Sequence, residues 1–536
     1  VKGTLTATTD ASASVITLND LAVDGAFTLD PDGTGAVTIV NDAGLNLAAS
    51  TMGGTFSGTA TTGDISDSGT LTITGASIFT TRVGGSNIVL DSSANAFAAA
   101  VTMKADTGGD ETFGNITFVD SAAVKLHSSA GTNGDLFIDA GTDLAVGGNL
   151  SITATTGNIT QGSEVAVGGT TTLVTSANDA TITLNDADNA FTGALTITTN
   201  DNSGTDAAVI IDGGTTALII AASTIDGNLT LTSGATAGIT DSGTVTVGGD
   251  LAATTDAGNG VIDMDQLAVD GSIALVTNGN GAATVVNDAG LNFAASTVRG
   301  VLTATATTGD ITDSGNLTIA GESTFITRAD GSDIELGSSG NTFADAVTMK
   351  AETDGSEAFG NITFVDSGAV NFNSSGSSDG DLNINASSTN GAVGGNLSIT
   401  ATTGNITQGI ALAVTGTSSF TTSANNTTIT LSNTSNAFTG ALTITTNDDS
   451  NDRSYATIDG GTTALIIAAS TIDGNLTLTS GAAAGITDTG NVTVAGNLVA
   501  TTDDNDGVID MGTLRVDGTV ALTTDGSGNA TVVNDT

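Results

Sequence analysis

The chain has 536 residues, among them 72 Gly, one Pro, one Tyr and no Cys or Trp, with 57 Asp+Glu against nine Lys+Arg and a formal net charge of −48. So few cations exclude a phosphate-binding groove and an attraction to anionic lipid, and the absence of cysteine excludes disulfide staples and thiolate metal sites. A mean hydropathy of +0.21 excludes a plain disordered acidic tail, because there is apolar material to bury.

Along the chain, the opening VKGTLTATTD shows neither an initiating Met nor a signal peptide. The chain is therefore expected to be an excerpt of a longer precursor. From there a phrase apolar-x-Gly-x-apolar recurs at Val1-Gly3-Leu5, Val23-Gly25-Phe27, Val146-Gly148-Leu150, Ile225-Gly227-Leu229 and Val247-Gly249-Leu251. Looser versions fall at Met52, Ile73, Val167 and Phe191. The spacing averages roughly 25 residues, the scale of a stacked supersecondary repeat, and the gap from Ile73 to Val146 leaves room for three more such intervals.

Between these marks the runs LTITTN, TVTV, ATITL and NITF alternate apolar with Thr, the period of a strand. Gly, Asn, Asp and Ser bracket each run and supply corners. No stretch has sustained helical periodicity, and none approaches 18 apolar residues, so no membrane insertion is expected. Proline removes a ladder donor, which accounts for Pro31 standing alone in a chain of strands.

A larger period overlies the small one. VNDAGLN begins at Val40 and again at Val286, and FGNITFVDS at Phe113 and Phe359, an offset of 246 in both cases; NAFTGALTITTN begins at Asn189 and Asn436, an offset of 247. The chain thus divides into one unit at 1–246, a second at 247–493, and the start of a third at 494–536, an array expected to continue. A phrase like DITDSGNLTIAG at 310 also begins at 64, 158, 238, 405 and 485. It reads as a rung: Ile311 enters, the Asp-Ser-Gly corner bends, Leu317 and Ile319 point inward, and Gly321 turns out again. The whole predicts an all-β fold, a parallel β-solenoid of about 22 rungs of roughly 25 residues, wound as a right-handed β-helix on the general preference of parallel crossovers.

Candidate sites recur with the repeat. Asp42, Asp288 and Asp535 stand in VND; Asp24, Asp270 and Asp517 in VDG; Asp212 and Asp459 in IDGG; Asp120 and Asp366 in FVDS. Ca²⁺ held between stacked loops is one reading, with Asp42, Asp288, Asp212 and Asp459 as candidate ligands. The other is that these carboxylates cap corners by accepting backbone N–H bonds. No other cofactor is expected.

His127 is the only histidine, and its counterpart in the second unit is Asn373, so neither metal binding nor Ser-His-Asp catalysis is expected of it. The cations Arg82/Arg328 and Lys104/Lys350 repeat at the 246 offset, and no singular acid–base cluster suggests an enzyme. Phe79/Phe325, Phe97/Phe343, Phe113/Phe359, Phe118/Phe364 and Phe191/Phe438 read as stacked core. Thr-x-Thr pairs suggest an ice-binding array only if they align on successive rungs, which the uneven loops are expected to prevent.

Phrases such as TATTGDITDSGNLTIAGESTFITRADGSDIEL and NAFTGALTITTND resemble the repeat regions of filamentous-haemagglutinin-like exoproteins and related large bacterial adhesins. The resemblance implies a right-handed β-helix, export, and an extracellular or cell-surface filament or adhesin stalk acting by length, rigidity and display. It implies as partners neighbouring copies or further repeats in a filament, and a cell-surface or extracellular-matrix partner. The alternative is a Ca²⁺- or glycan-binding surface on a secreted β-helix. Nucleic acid is not expected as a partner.

Overall fold

A computed structural model describes residues 1–105, 113–128, 134–138, 145–202, 207–351, 360–374, 378, 380–384, 391–449 and 454–535. They form parallel strands joined by corners; among the described residues there is no helix, and none that could cross a membrane. The chain folds as two compact units, Val1–Gly271 and Ser272–Thr536. This is the all-β parallel solenoid of about 22 turns that the roughly 25-residue period implies.

One turn in the first unit shows the construction. A long strand, Phe56–Ala60, is followed by two short ones, Ile65–Asp67 and Leu71–Ile73, and the next long strand is Ser77–Thr81. Each strand pairs in parallel with its counterpart one turn on: Phe56 lies beside Ser77, Ile65 beside Ile88, and Thr72 beside Ala96. Long strands alternate between buried and half-buried positions, as in Leu150–Ala154, Leu229–Ser233 and Leu397–Ala401. Ile and Leu fill the first two inward sites of each and Ala or Ser the third, while Ser and Thr occupy the outward ones, so the pleat itself sorts the composition. In the repeated phrase Ile311, Leu317 and Ile319 are buried, as expected.

The long strand does not keep to one sheet. In the first unit Phe56–Ala60, Ser77–Thr81 and Val101–Lys104 stack together. Then Ile116–Asp120 stacks on the short strand Ile88–Leu90, and Leu150–Ala154 and Thr171–Thr175 continue above it. At this switch Asp135–Ile138 inserts between Val101–Lys104 and Val124–Leu126, although it follows both in sequence. The second unit repeats the insertion, with Asp381–Ile384 between Val347–Lys350 and Val370–Phe372. The gap from Ile73 to Val146 therefore does not hold three equal intervals: the rise from Ile116 to its partner Leu150 takes 34 residues.

Phenylalanines line the core as stacks. In the first unit Phe56, Phe79, Phe97 and Phe118 follow one another at ring separations of 5.1, 6.2 and 5.1 Å. In the second unit Phe293, Phe325, Phe343 and Phe364 do so at 6.2, 6.1 and 5.1 Å. Phe191 and Phe438 are buried as well. Phe113 departs from the expected pattern: it is 40% exposed, with its ring lying over Gly147 at a corner. Its counterpart Phe359 and the cation Arg453 lie outside the described residues.

Candidate functional site: the corner carboxylates

The repeated phrase carries a polar contact between successive turns that recurs along the chain. Its third strand residue is Asp67, Asp241, Asp313 or Asp488 in four copies and Gln161 or Gln408 in the other two. In each copy this side chain accepts backbone N–H bonds from the corner of the next turn. Asp313 accepts from Gly337 at 2.9 Å and Ser338 at 3.2 Å, Asp67 from Asp91 at 2.9 Å, and Asp488 from Gly512 at 2.9 Å and Thr513 at 2.8 Å. Gln161 Oε1 accepts from Asp186 at 3.2 Å, and Gln408 Oε1 from Asn433 at 3.1 Å. A neutral amide thus does the same work as a carboxylate. The requirement is an acceptor, which explains how the copy at 405 dispenses with charge.

A buried asparagine completes the joint. Asn95, Asn189, Asn341 and Asn436 are buried, and each donates Nδ2 to the Asp or Gln 28 residues before it, at 2.6 to 3.1 Å. Each also accepts at Oδ1 from a backbone N–H in the preceding turn: Leu71, Val165, Leu317 or Leu412, at 2.8 to 2.9 Å. Burial requires these partners, because an orphaned amide inside the coil costs about 1–3 kcal/mol. The fixed spacing of 28 between Asp or Gln and Asn was the readable signal of this joint, and phrase matching alone does not isolate it.

The candidate calcium ligands occupy different places. Asp42 and Asp288 are exposed, and their backbone carbonyls accept from Thr62 and Thr308 in the next turn. Asp212 and Asp459 are half-buried, and each accepts the N–H two residues on, Gly214 or Gly461, at 2.8 Å. That is a corner cap. Asp120 is 2% exposed and accepts from Phe97 at 3.2 Å. Among the described residues no three His, Cys, Asp or Glu side chains gather closely enough to hold a metal ion.

Burial pushes the Asp120, Asp212, Asp241 and Asp459 carboxyls above the usual carboxylate range, against the pull of the N–H groups they accept. Neighbouring carboxylates add to the rise at three of them: Asp256 and Asp186 for Asp212, Asp265 and Asp263 for Asp241, and Asp503 for Asp459.

His127 and Lys125 lie together over Gly162, leaving no room for a side chain there, so the lone histidine packs on a corner. Hydroxyl pairs do align on successive turns: Ser398, Ser419 and Thr443 form one column, and Thr400, Thr421 and Thr445 its neighbour. Uneven corners absorb the length differences without shifting the ladder register, which the sequence spacing had suggested they would disturb. The second column meets Val365 one turn earlier, so the paired array is short.

A family model described as repeats of unknown function (DUF5649) matches residues 34–104, 113–198, 206–278, 279–350 and 387–445. No curated protein and no solved structure matches the chain.

Proposed function

The chain belongs to this family of repeats, and on that basis we propose that it is a structural segment of an extracellular bacterial filament or adhesin stalk. It acts by length, rigidity and display and carries no catalysis of its own. One observation carries the reading: a side-chain oxygen that accepts backbone N–H from the next turn recurs in every copy of the phrase, with Gln standing in for Asp, and the buried Asn that completes the joint recurs in four of the six. The same interchange within a binding or catalytic site would change its charge and chemistry. The resemblance of the repeat phrases to filamentous-haemagglutinin-like exoproteins supports a place outside the cell, with further repeats and neighbouring copies as partners.

Electron cryo-microscopy of the native material tests this. The reading expects filaments with an axial rung spacing of about 4.8 Å. Discrete particles whose melting temperature falls when Ca²⁺ is chelated would replace it with the calcium-ordered secreted surface.

A further inference from the structure

One sheet of the second unit stacks nine strands in series: Ser323–Thr327, Val347–Lys350, Asp381–Ile384, Val370–Phe372, Ile406–Gln408, Ile429–Leu431, Ala456–Asp459, Leu476–Ser480 and Leu498–Thr502. Its outward face is almost bare of charge, although the chain carries a net charge of −48. Among the half-buried and exposed residues of these strands only Lys350 and Asp459 are ionisable, and most of the rest are Thr. Two exposed corner residues extend the series, Arg328 after the first strand and Asp503 after the last.

The order of these four charges makes the face complementary to itself. Arg328 and Lys350 belong to the first and second strands, Asp459 and Asp503 to the seventh and ninth. One centre near the fifth strand, Ile406–Gln408, therefore relates both cations to both carboxylates. The carboxylates form a single anionic end: the Asp459 carboxyl is pushed up by burial and further by Asp503 beside it. The first unit has the same order by itself, with Arg82 and Lys104 at one end of its stack and Asp212 and Asp256 at the other. There too the neighbouring Asp256 adds to the rise at Asp212.

A partner for this face must offer carboxylates to Arg328 and Lys350 and cations to Asp459 and Asp503. It must do so over the eight ladder steps from first strand to last, about 38 Å at about 4.8 Å per step. The face itself, turned end for end, meets that demand, as a two-fold contact requires. Small uncharged side chains between the two ends let two sheets approach to about 10 Å. With strands of about five residues the footprint is roughly 600 Å², close to the ~800 Å² per partner of a stable interface. Elsewhere the acidic corners of two copies repel each other.

We propose that this face docks a second copy of the chain, the two faces packed against each other and related by a two-fold axis at the fifth strand. The inference rests on the filament reading and deepens it, naming the surface by which a neighbouring copy meets the chain.

Sedimentation equilibrium of the full chain tests it. The protein is expected to associate as its concentration rises. One variant combines Arg82→Glu with Arg328→Glu, and a second combines Asp256→Lys with Asp503→Lys; both change only exposed corner residues. Each variant alone should need at least about a tenfold higher concentration to associate, with unchanged β-sheet content, because like charges then face each other. The second variant has less net negative charge than the wild type, so general repulsion would not account for its loss. An equimolar mixture of the two should recover wild-type association, since each then meets its complement. A wild-type chain that stays monomeric up to about 1 mM, or variants that associate as tightly as the wild type, would overturn the face. Neither result bears on the filament reading, whose own test is the axial spacing seen by microscopy.

Discussion

The two units solve one packing problem in different ways, and the difference can be tested by transplant. In the first unit the inward pair on one long strand is Phe56 and Gly58; at the 246 offset the second unit has Leu302 and Ala304. A methyl added at Gly58 would lie 2.7 Å from Phe56 Cζ and 2.8 Å from Leu45 Cδ2, too close for either to stay in place. The glycine exists to admit the ring, which stacks on Phe79 at 5.1 Å. Ordinarily Gly→Ala in a strand would gain roughly 0.5–1 kcal/mol from chain entropy. Here Gly58→Ala is expected to cost about 1–3 kcal/mol through overpacking. In the Phe56→Leu background the same change should be neutral or favourable, giving a coupling of about 2 kcal/mol.

Phe56→Leu alone leaves a gap beside Phe79. The second unit fills that place with Phe293, the counterpart of Leu47, whose ring lies 6.2 Å from Phe325. Adding Leu47→Phe should therefore recover most of the loss. Hydrogen exchange at Phe56–Ala60 is the suitable assay, because repeat arrays do not unfold as a single two-state unit. Additive effects of Phe56→Leu and Gly58→Ala would refute the steric account.

Other consequences follow from the corners and the core. Asp313→Ala removes the acceptor of Gly337, Ser338 and Asn341, and should destabilise that corner by about 2–3 kcal/mol, read as faster exchange of the Gly337 and Ser338 amides. Ser323 is 1% exposed and its Oγ has no hydrogen-bond partner; Ser323→Ala should be neutral or stabilising by up to about 1 kcal/mol in the same assay. Asp120, Asp212, Asp241 and Asp459 have folded pKa values raised above 3.8. Between that value and the raised ones the folded chain binds more protons than the unfolded, so stability falls as pH rises through the window. Relief of repulsion within a chain of charge −48 acts in the same direction. Melting at about pH 5 should therefore occur at a higher temperature than at pH 7, and a lower one would contradict this balance.

Much of the fold was legible because a solenoid repeats its chemistry locally. Ile311, Leu317 and Ile319 could be placed inward from alternation alone, and the phrase around them marked a corner wherever it occurred. The joint between turns was less visible. Its partners, such as Asp67 and Asn95, sit 28 residues apart and belong to different phrases, so neither phrase shows why the other is needed. The strand Asp135–Ile138 was hidden for a topological reason: alternation announces a strand and says nothing about a neighbour chosen out of order. Phe113 was misplaced because its recurrence resembles that of the core phenylalanines, while its place before a Gly-Asn corner turns it outward.

The central claim is that the repeat units are interchangeable structure. Deleting residues 247–493 joins Thr246 to Val494, where both units read VTV across the boundary, and so preserves the phase of the coil. Hydrogen exchange of the shortened chain gives the most direct answer. The account predicts that strands of the first unit remote from the junction, such as Phe56–Ala60 and Leu150–Ala154, keep their protection and that the chain keeps its β-sheet content. Loss of protection throughout those strands would show that the units depend on one another as parts of a single specialised structure, and would contradict the claim.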